Sequence, residues 1–479
     1  MSGRGAGSVN KVIAADEVVA VPSFREATRV WAKIGCLSFG GPAGQIALMH
    51  KTLVDEKRWI SEERFLHALS YCMLLPGPEA QQLATYIGWL MHGVRGGLVA
   101  GLLFILPGFV VIVALSSLYV LFQDAAWLSA VFFGLKAAVL AIVVEALLRL
   151  ARRALKGRFH YWVAAASFLA LFLLNLPFPV VVILAGAAGF LMQRYGQRSI
   201  DAPTAPQPSD RQERGRLTTH AIARPLLVLV FWILIWQSPL LLVRALDAPT
   251  DLIAETLSGE TNVFGAVFIF FSKMAVITFG GAYAVLSYVA QVAVGHYAWL
   301  KPGEMLDGLA LAETTPGPLV LVLCFVGFLA GFRNPIAMMP LLGGVFGAFL
   351  AAWATFVPSF IWIFAGAPYI EKLRNNAALS ASLSAITAAV VGVILNLALW
   401  FGLHVLFAEV GRIALLSRGT GLPLVSLAWP DWRSLDVAAL ALFAIAALLL
   451  FRFKAGMVKI LAFSAVAGLL ITGAETFFK

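Results

Sequence analysis

Two lysines, two hydroxyl residues and two pairs of helix-breaking motifs keep one register across this chain. Lys33, Ser38-Phe39-Gly40-Gly41 and Pro76-Gly77-Pro78 return 240 positions later as Lys273, Thr278-Phe279-Gly280-Gly281 and Pro316-Gly317-Pro318. Trp59 and Trp299 keep the same spacing. Gly-Gly inside an apolar helix exposes backbone N–H groups and admits close neighbours. Pro-Gly-Pro removes two donors and frees nearby carbonyls. Irregular backbone at membrane depth survives only where protein buries it or a polar cavity meets it. Half-helix N-termini that face each other would form an anion site through their positive dipole ends. The Ser38 and Thr278 hydroxyls would add donors there, and Lys33 and Lys273 would add charge. The plainer alternatives are small-residue helix packing for Gly-Gly, a kink for Pro-Gly-Pro and snorkelling for the lysines.

Other polar residues in apolar surroundings are candidates for coupling or for structure. Glu79 follows the first Pro-Gly-Pro and Glu313 precedes the second, while Glu145 is matched by Asn396 in the second copy. Each carboxylate is open to a proton-relay role or to an ion pair, and Glu145/Asn396 equally to an interhelical hydrogen bond. Arg25 and Arg29 precede Lys33 and would form an interfacial, electropositive entry. Tyr86 and Phe325 stand at matching places, as pathway lining or core. Cys36, Cys72 and Cys324 form no CxxC and read as buried packing residues, and the seven histidines make no metal-ligand cluster. No phosphate loop or nucleophile elbow is present. Neither a catalytic residue, a metal nor a cofactor is therefore expected.

The elements that must position these groups are membrane helices. The chain is 61% hydrophobic and 13% charged over 479 residues, against about 45–50% and about 25% in ordinary globular proteins. Its net charge of +10 lies in loops beside apolar segments, a positive-inside pattern rather than a nucleic-acid surface. We expect an all-α polytopic membrane protein of about 13 transmembrane segments, some of them broken or re-entrant. These fall at about 26–50, 65–92, 96–122, 126–150, 160–175, 178–193, 225–244, 263–292, 305–331, 335–365, 380–407, 436–451 and 457–474. The domain plan is an N-terminal cytoplasmic tail (1–22, with no signal peptide), a first repeat (23–193), a polar cytoplasmic linker (194–224), a topology-inverting helix (225–244) and a second repeat (245–479).

Beyond the opening motifs the offset grows to 251. Leu106-Pro107-Gly108-Phe109 matches Val357-Pro358-Ser359-Phe360, which implies an insertion near 335–346. Arg149, Arg152, Arg153, Lys156 and Arg158 crowd one loop, and the linker is also basic. The equivalent loop after Trp400 is poor in Lys and Arg near the membrane, whereas Lys372 and Arg374 replace Gln123 and Asp124. Positive charge thus changes sides between the copies, which predicts inverted repeats with the N-terminus inside and the C-terminus outside.

These motifs resemble those of the chromate ion transporter family in its long, two-domain form. In the first half the resemblance rests on Phe39-Gly40-Gly41, Glu56-Lys57-Arg58-Trp59, Leu75-Pro76-Gly77-Pro78-Glu79-Ala80-Gln81-Gln82 and Gly88-Trp89. In the second it rests on Phe279-Gly280-Gly281, Glu313-Thr314-Thr315-Pro316-Gly317-Pro318 and Asn396. It covers nearly the whole chain outside the N-terminal tail and linker. The second copy lacks the Glu-Lys-Arg-Trp and Glu-Ala-Gln-Gln elements, so roles tied to those belong to the first domain. The resemblance implies chromate efflux across the bacterial inner membrane and resistance to chromate. Sulfate, similar in shape and charge, is the expected competitor, and sulfate or other oxyanion uptake or exchange is the alternative activity. The partners are then the oxyanion and the bilayer, without nucleic acid. The coupling ion and the oligomeric state stay open, a homodimer being one arrangement.

Overall fold

A computed structural model describes residues 22–195, 220–246, 262–279, 282–335, 338–366, 377–417 and 423–477. The first half runs α1 (Phe24–Leu37), α2 (Gly41–His50), a π-helical turn, α3 (Glu62–Cys72), α4 (Glu79–Phe122), α5 (Ala126–Ala154), α6 (Arg158–Phe172) and α7 (Phe178–Tyr195). α8 (His220–Leu246) leads to the second half: α9 (Val263–Ile277), α10 (Ala282–Gly295), α11 (Pro302–Thr314), α12 (Val322–Arg333), α13 (Pro340–Gly366) and α14 (Ala377–Leu406). An antiparallel hairpin, β1 (Val410–Ser417) with β2 (Pro423–Pro430), then precedes α15 (Val437–Phe451) and α16 (Met457–Phe477). The chain is an integral membrane protein, and α4, α5, α7, α13 and α14 are each long and apolar enough to cross a bilayer.

Four of the segments expected from hydropathy are each two helices, because a backbone without amide hydrogens or with positive φ cannot continue the i→i−4 ladder. Gly40 and Gly41 (φ 92° and 68°) part α1 from α2, and the Pro-Gly-Pro tips part α3 from α4 and α11 from α12. Both tips turn the chain back on itself. Tyr71 on α3 meets Tyr86 on α4 with ring centroids 5.4 Å apart. In the second copy a Cβ on Gly308 of α11 would stand 2.3 Å from the Phe325 ring of α12. A straight continuation would hold either pair roughly 20 Å or more apart.

α4 reverses as well. At His92–Gly93 the dihedrals leave the helical region, and a Cβ on Gly96 would stand 2.3 Å from the Gly88 carbonyl oxygen. Residues 79–91 and 94–122 are therefore two antiparallel arms, with Gly93 at φ 62° in the bend. The counterpart hairpin of α12 and α13 is longer; its close pair is Gly327 with Gly347. Twenty residues separate those glycines and eight separate Gly88 from Gly96, which places the extra residues of the second copy in this hairpin.

The two halves exchange partners. α5 packs on α15 and α16, and α14 packs on α6 and α7. Gly134 of α5 lies against Gly468 of α16, while Ala385, 251 positions after Gly134, lies against Gly189 of α7. α8 is held to α13 by Trp236 Nε1, which donates to the Ala354 carbonyl (3.1 Å), and by Trp353 Nε1, which donates to the Trp236 carbonyl (3.2 Å). The β-hairpin is an addition to the expected all-α plan, since its alternation falls in an insertion between α14 and α15. Cys72 and Cys324 are buried, but Cys36 is exposed on α1, contrary to the expectation for all three.

Candidate functional site at the crossed breaks

The breaks of one half are bonded to the tips of the other. The Gly77 N–H donates to the Thr278 carbonyl (2.9 Å), and the Gly317 N–H donates to the Ser38 carbonyl (2.8 Å). These are the same bond 240 positions apart. Local sequence makes it possible: glycine alone readily takes the left-handed dihedrals at Gly77 (φ 116°) and Gly317 (φ 97°). The prolines on each side cannot compete as donors. Ser38 and Thr278 end α1 and α9 and present the carbonyls. Their hydroxyls donate back to the Ile34 and Met274 carbonyls, so those hydrogens are engaged within the helices.

Buried polar side chains stand at both tips. At the first, Gln82 Nε2 donates to the Pro76 carbonyl (2.7 Å); at the second, Gln45 of α2 donates to the Gly317 carbonyl and to the Ser38 carbonyl (3.5 Å). Gln45, Gln81 and Gln82 are fully buried and Ser359 is 1% exposed. Both polar atoms of Gln81, the side-chain oxygens of Gln45 and Gln82 and the Ser359 hydroxyl have no hydrogen-bond partner. Buried polar atoms are normally satisfied, so these are the groups open to water or a ligand.

The remaining candidates are distributed around this centre. Pro76, Pro78, Pro316 and Pro318 are buried at the tips. Phe39 is exposed and Phe279 is half-buried; Gly280 and Gly281 lie outside the described residues. Lys33 and Lys273 are on the exposed faces of α1 and α9, one residue before the buried Ile34 and Met274. Lys273 borders a cavity of about 790 Å³ lined also by Trp236, Gln237, Tyr288 and His296. Arg25 and Arg29 are exposed at the start of α1.

The carboxylates lie within electrostatic reach of arginines of α5. Arg153 is within electrostatic reach of Glu79. Glu313 is buried and accepts from the Tyr283 hydroxyl (2.6 Å), with Glu145 and Arg149 acting on this pair. Glu145 itself pairs with Arg149. Asn396 is half-buried on α14. Lys57 pairs with Glu26 (2.9 Å) and lies over the Trp59 ring, so the Glu-Lys-Arg-Trp element braces α1.

Sequence reasoning passed over a second buried network. Lys136 of α5 pairs with Asp307 of α11 (3.0 Å), and the Tyr119 hydroxyl donates to Asp307 (2.9 Å). Arg333 holds Glu304 and the Trp299 carbonyl (2.7 Å). Lone charges in apolar runs were the available signal for Lys136 and Asp307. For Gln45 and Ser359 there was little, because each meets a tip of the other half, and Gln81 and Gln82 offered only their place after Pro-Gly-Pro. No group of three metal-ligating side chains occurs among the described residues.

With this geometry in place, comparison with known proteins is decisive. The profile of the chromate transporter family matches residues 25–190 and 265–469. The chain belongs to that family. It is 32% identical to the chromate transport protein of Pseudomonas aeruginosa over 76% of this chain and 77% of that one. The chromate transport protein of Cupriavidus metallidurans is 29% identical over 80% and 84%. The probable chromate transport protein of Synechococcus elongatus is 29% identical over 82% and 90%. No solved structure matches. The two matched stretches of this family member are the two halves that carry the crossed bonds.

Proposed function

We propose that the chain is a secondary transporter that exports chromate from the bacterial cytoplasm and so confers resistance. The substrate comes from the relatives named as chromate transport proteins. The observation that carries the mechanism is the crossed pair of glycine hydrogen bonds at the two tips. In this reading the halves are inverted repeats in the bacterial inner membrane, and their breaks meet near the midplane as the substrate site. Motion of one half against the other changes which side the site faces. Glu79, Glu145 and Glu313, each in reach of an α5 arginine or of one another, are the coupling candidates.

Lys33 and Lys273 lie roughly 14–15 Å along their helices from Phe24 and Val263. There they would attract a dianion toward the tips, and Arg25 and Arg29 would do so at the entry. Outward movement needs no nucleotide: about 2.3 kcal/mol per charge per 100 mV gives a dianion roughly twice that.

The test is chromate flux in proteoliposomes with membrane potential and pH gradient set independently. We expect movement toward the positive side, lost on Lys33→Ala or Lys273→Ala in protein that still inserts. Chromate that stays put under every gradient sinks the proposal, and flux that needs a counter-anion points to oxyanion exchange. Normal export by both variants removes the lysines from the site.

A further inference from the structure

The two tips are equivalent in sequence but not in surroundings, and the difference points to where an oxyanion is held. A Cβ at Gly77 would stand 3.0 Å from Gln82 Nε2 and 3.4 Å from Ser359 Oγ. At Gly317 the nearest atom to such a Cβ is a methyl of Leu321, at 3.1 Å. Counting 240 positions on, Glu79, Gln81 and Gln82 become Leu319, Leu321 and Val322; counting 251 back, Ser359 becomes Gly108. Leu319, Leu321 and Val322 are all buried. The second tip is thus packed with hydrocarbon apart from Gln45, whose amide nitrogen donates to the Gly317 and Ser38 carbonyls, whereas the first is lined by Gln82 and Ser359.

We infer that the tetrahedral oxyanion binds at the first tip alone, held by the Gln81 and Gln82 carboxamides, the Ser359 hydroxyl and the first turn of α4. This rests on the chromate reading above and narrows it to one asymmetric site. Gln81 is fully buried in that first turn, with both polar side-chain atoms unpartnered. The turn opens a 13-residue arm whose leading N–H groups carry the positive end of the helix dipole. A carboxamide nitrogen has two hydrogens. Gln82 directs one toward the Pro76 carbonyl, leaving a second for a ligand. Water accompanies the anion and satisfies the amide oxygens. Neutral donors also suit transport, because a carrier must release what it binds, and ion pairs with cations hold an oxyanion more tightly. The second tip is then a scaffold whose Gly317 bond positions α1.

Flux and ligand-induced stabilisation, read on the full chain, test this. Wild-type protein in detergent should show a chromate-dependent rise in melting temperature by tryptophan fluorescence. Gln81→Leu and the near-isosteric Gln81→Glu should lose that rise, and Gln82→Leu and Ser359→Ala should weaken it. In proteoliposomes the half-saturating chromate concentration should rise at least tenfold in both Gln81 variants, with a smaller change in maximal rate. Should Gln81→Leu fail to fold, Gln81→Glu and Ser359→Ala carry the test. Unchanged half-saturation and an unchanged thermal shift in folded variants overturn the assignment. Wild-type protein that is stabilised by chromate through Gln81 yet moves none would overturn the transport reading and leave this site standing. No stabilisation and no flux in the wild type would overturn both.

Discussion

At the scale of single residues, Gly77 and Gly317 decide most. Each holds a left-handed φ between two prolines and donates its N–H to the opposite half. A non-glycine residue in such a conformation costs on the order of 1–3 kcal/mol. A Cβ at Gly77 also meets Gln82 Nε2 at 3.0 Å. Gly77→Ala and Gly317→Ala should each lower thermal stability by an amount in that range and cut chromate flux at least tenfold, measured by melting in detergent and by vesicle uptake. Equal loss in both would fit a shared structural role for the two tips. A larger effect on substrate affinity at Gly77 would add the asymmetry of their linings. Motif register alone identified these glycines, whereas the carboxamides beside them became visible only once the tertiary contacts had buried them.

At the scale of elements, short helices are joined across the halves by charge as well as by packing. Asp307 on α11 is 6% exposed and is met by Lys136 from α5 and Tyr119 from α4. Removing one partner of a buried pair strands the other, at a cost of about 3–5 kcal/mol, while replacing both is often nearly neutral. Lys136→Met should therefore depress the melting temperature strongly, and the double variant Lys136→Met/Asp307→Asn should recover much of it. If the single variant melts like the wild type, the pair does not stabilise the junction between the halves. The counterparts, Thr387 and His67, cannot form this ion pair, so it ties only one of the two equivalent junctions.

At the scale of the molecule, the exchanged pairing of α5 with α15 and α16, and of α14 with α6 and α7, is the contact pattern that a two-fold relation between halves produces. Charge supplies the direction. The end of α5 carries Arg149, Arg152 and Arg153, whereas α14 has no Lys or Arg along its length. With the basic end inside, the N-terminus should be cytoplasmic and the C-terminus and the β-hairpin external. Single cysteines placed in cysteine-free protein near each terminus, probed with a membrane-impermeant thiol reagent on intact cells, should label the C-terminal position and spare the N-terminal one. Labelling of both or neither would mean that the halves do not invert.

Sequence by itself determined the membrane class, the register of the recurring motifs and the positions where helices must break, because hydropathy, motif spacing and the chemistry of Gly and Pro are local properties of the chain. It also carried the family resemblance through those same motifs. Tertiary structure decided that the Pro-Gly-Pro segments turn back, that each tip bonds to the break of the other half, and that Gln82 and Ser359 line one tip where Leu321 lines the other. Those outcomes depend on which side chains from 240 residues away arrive at a given backbone atom. Periodicity reports the face of a helix, and it cannot report what that face will meet.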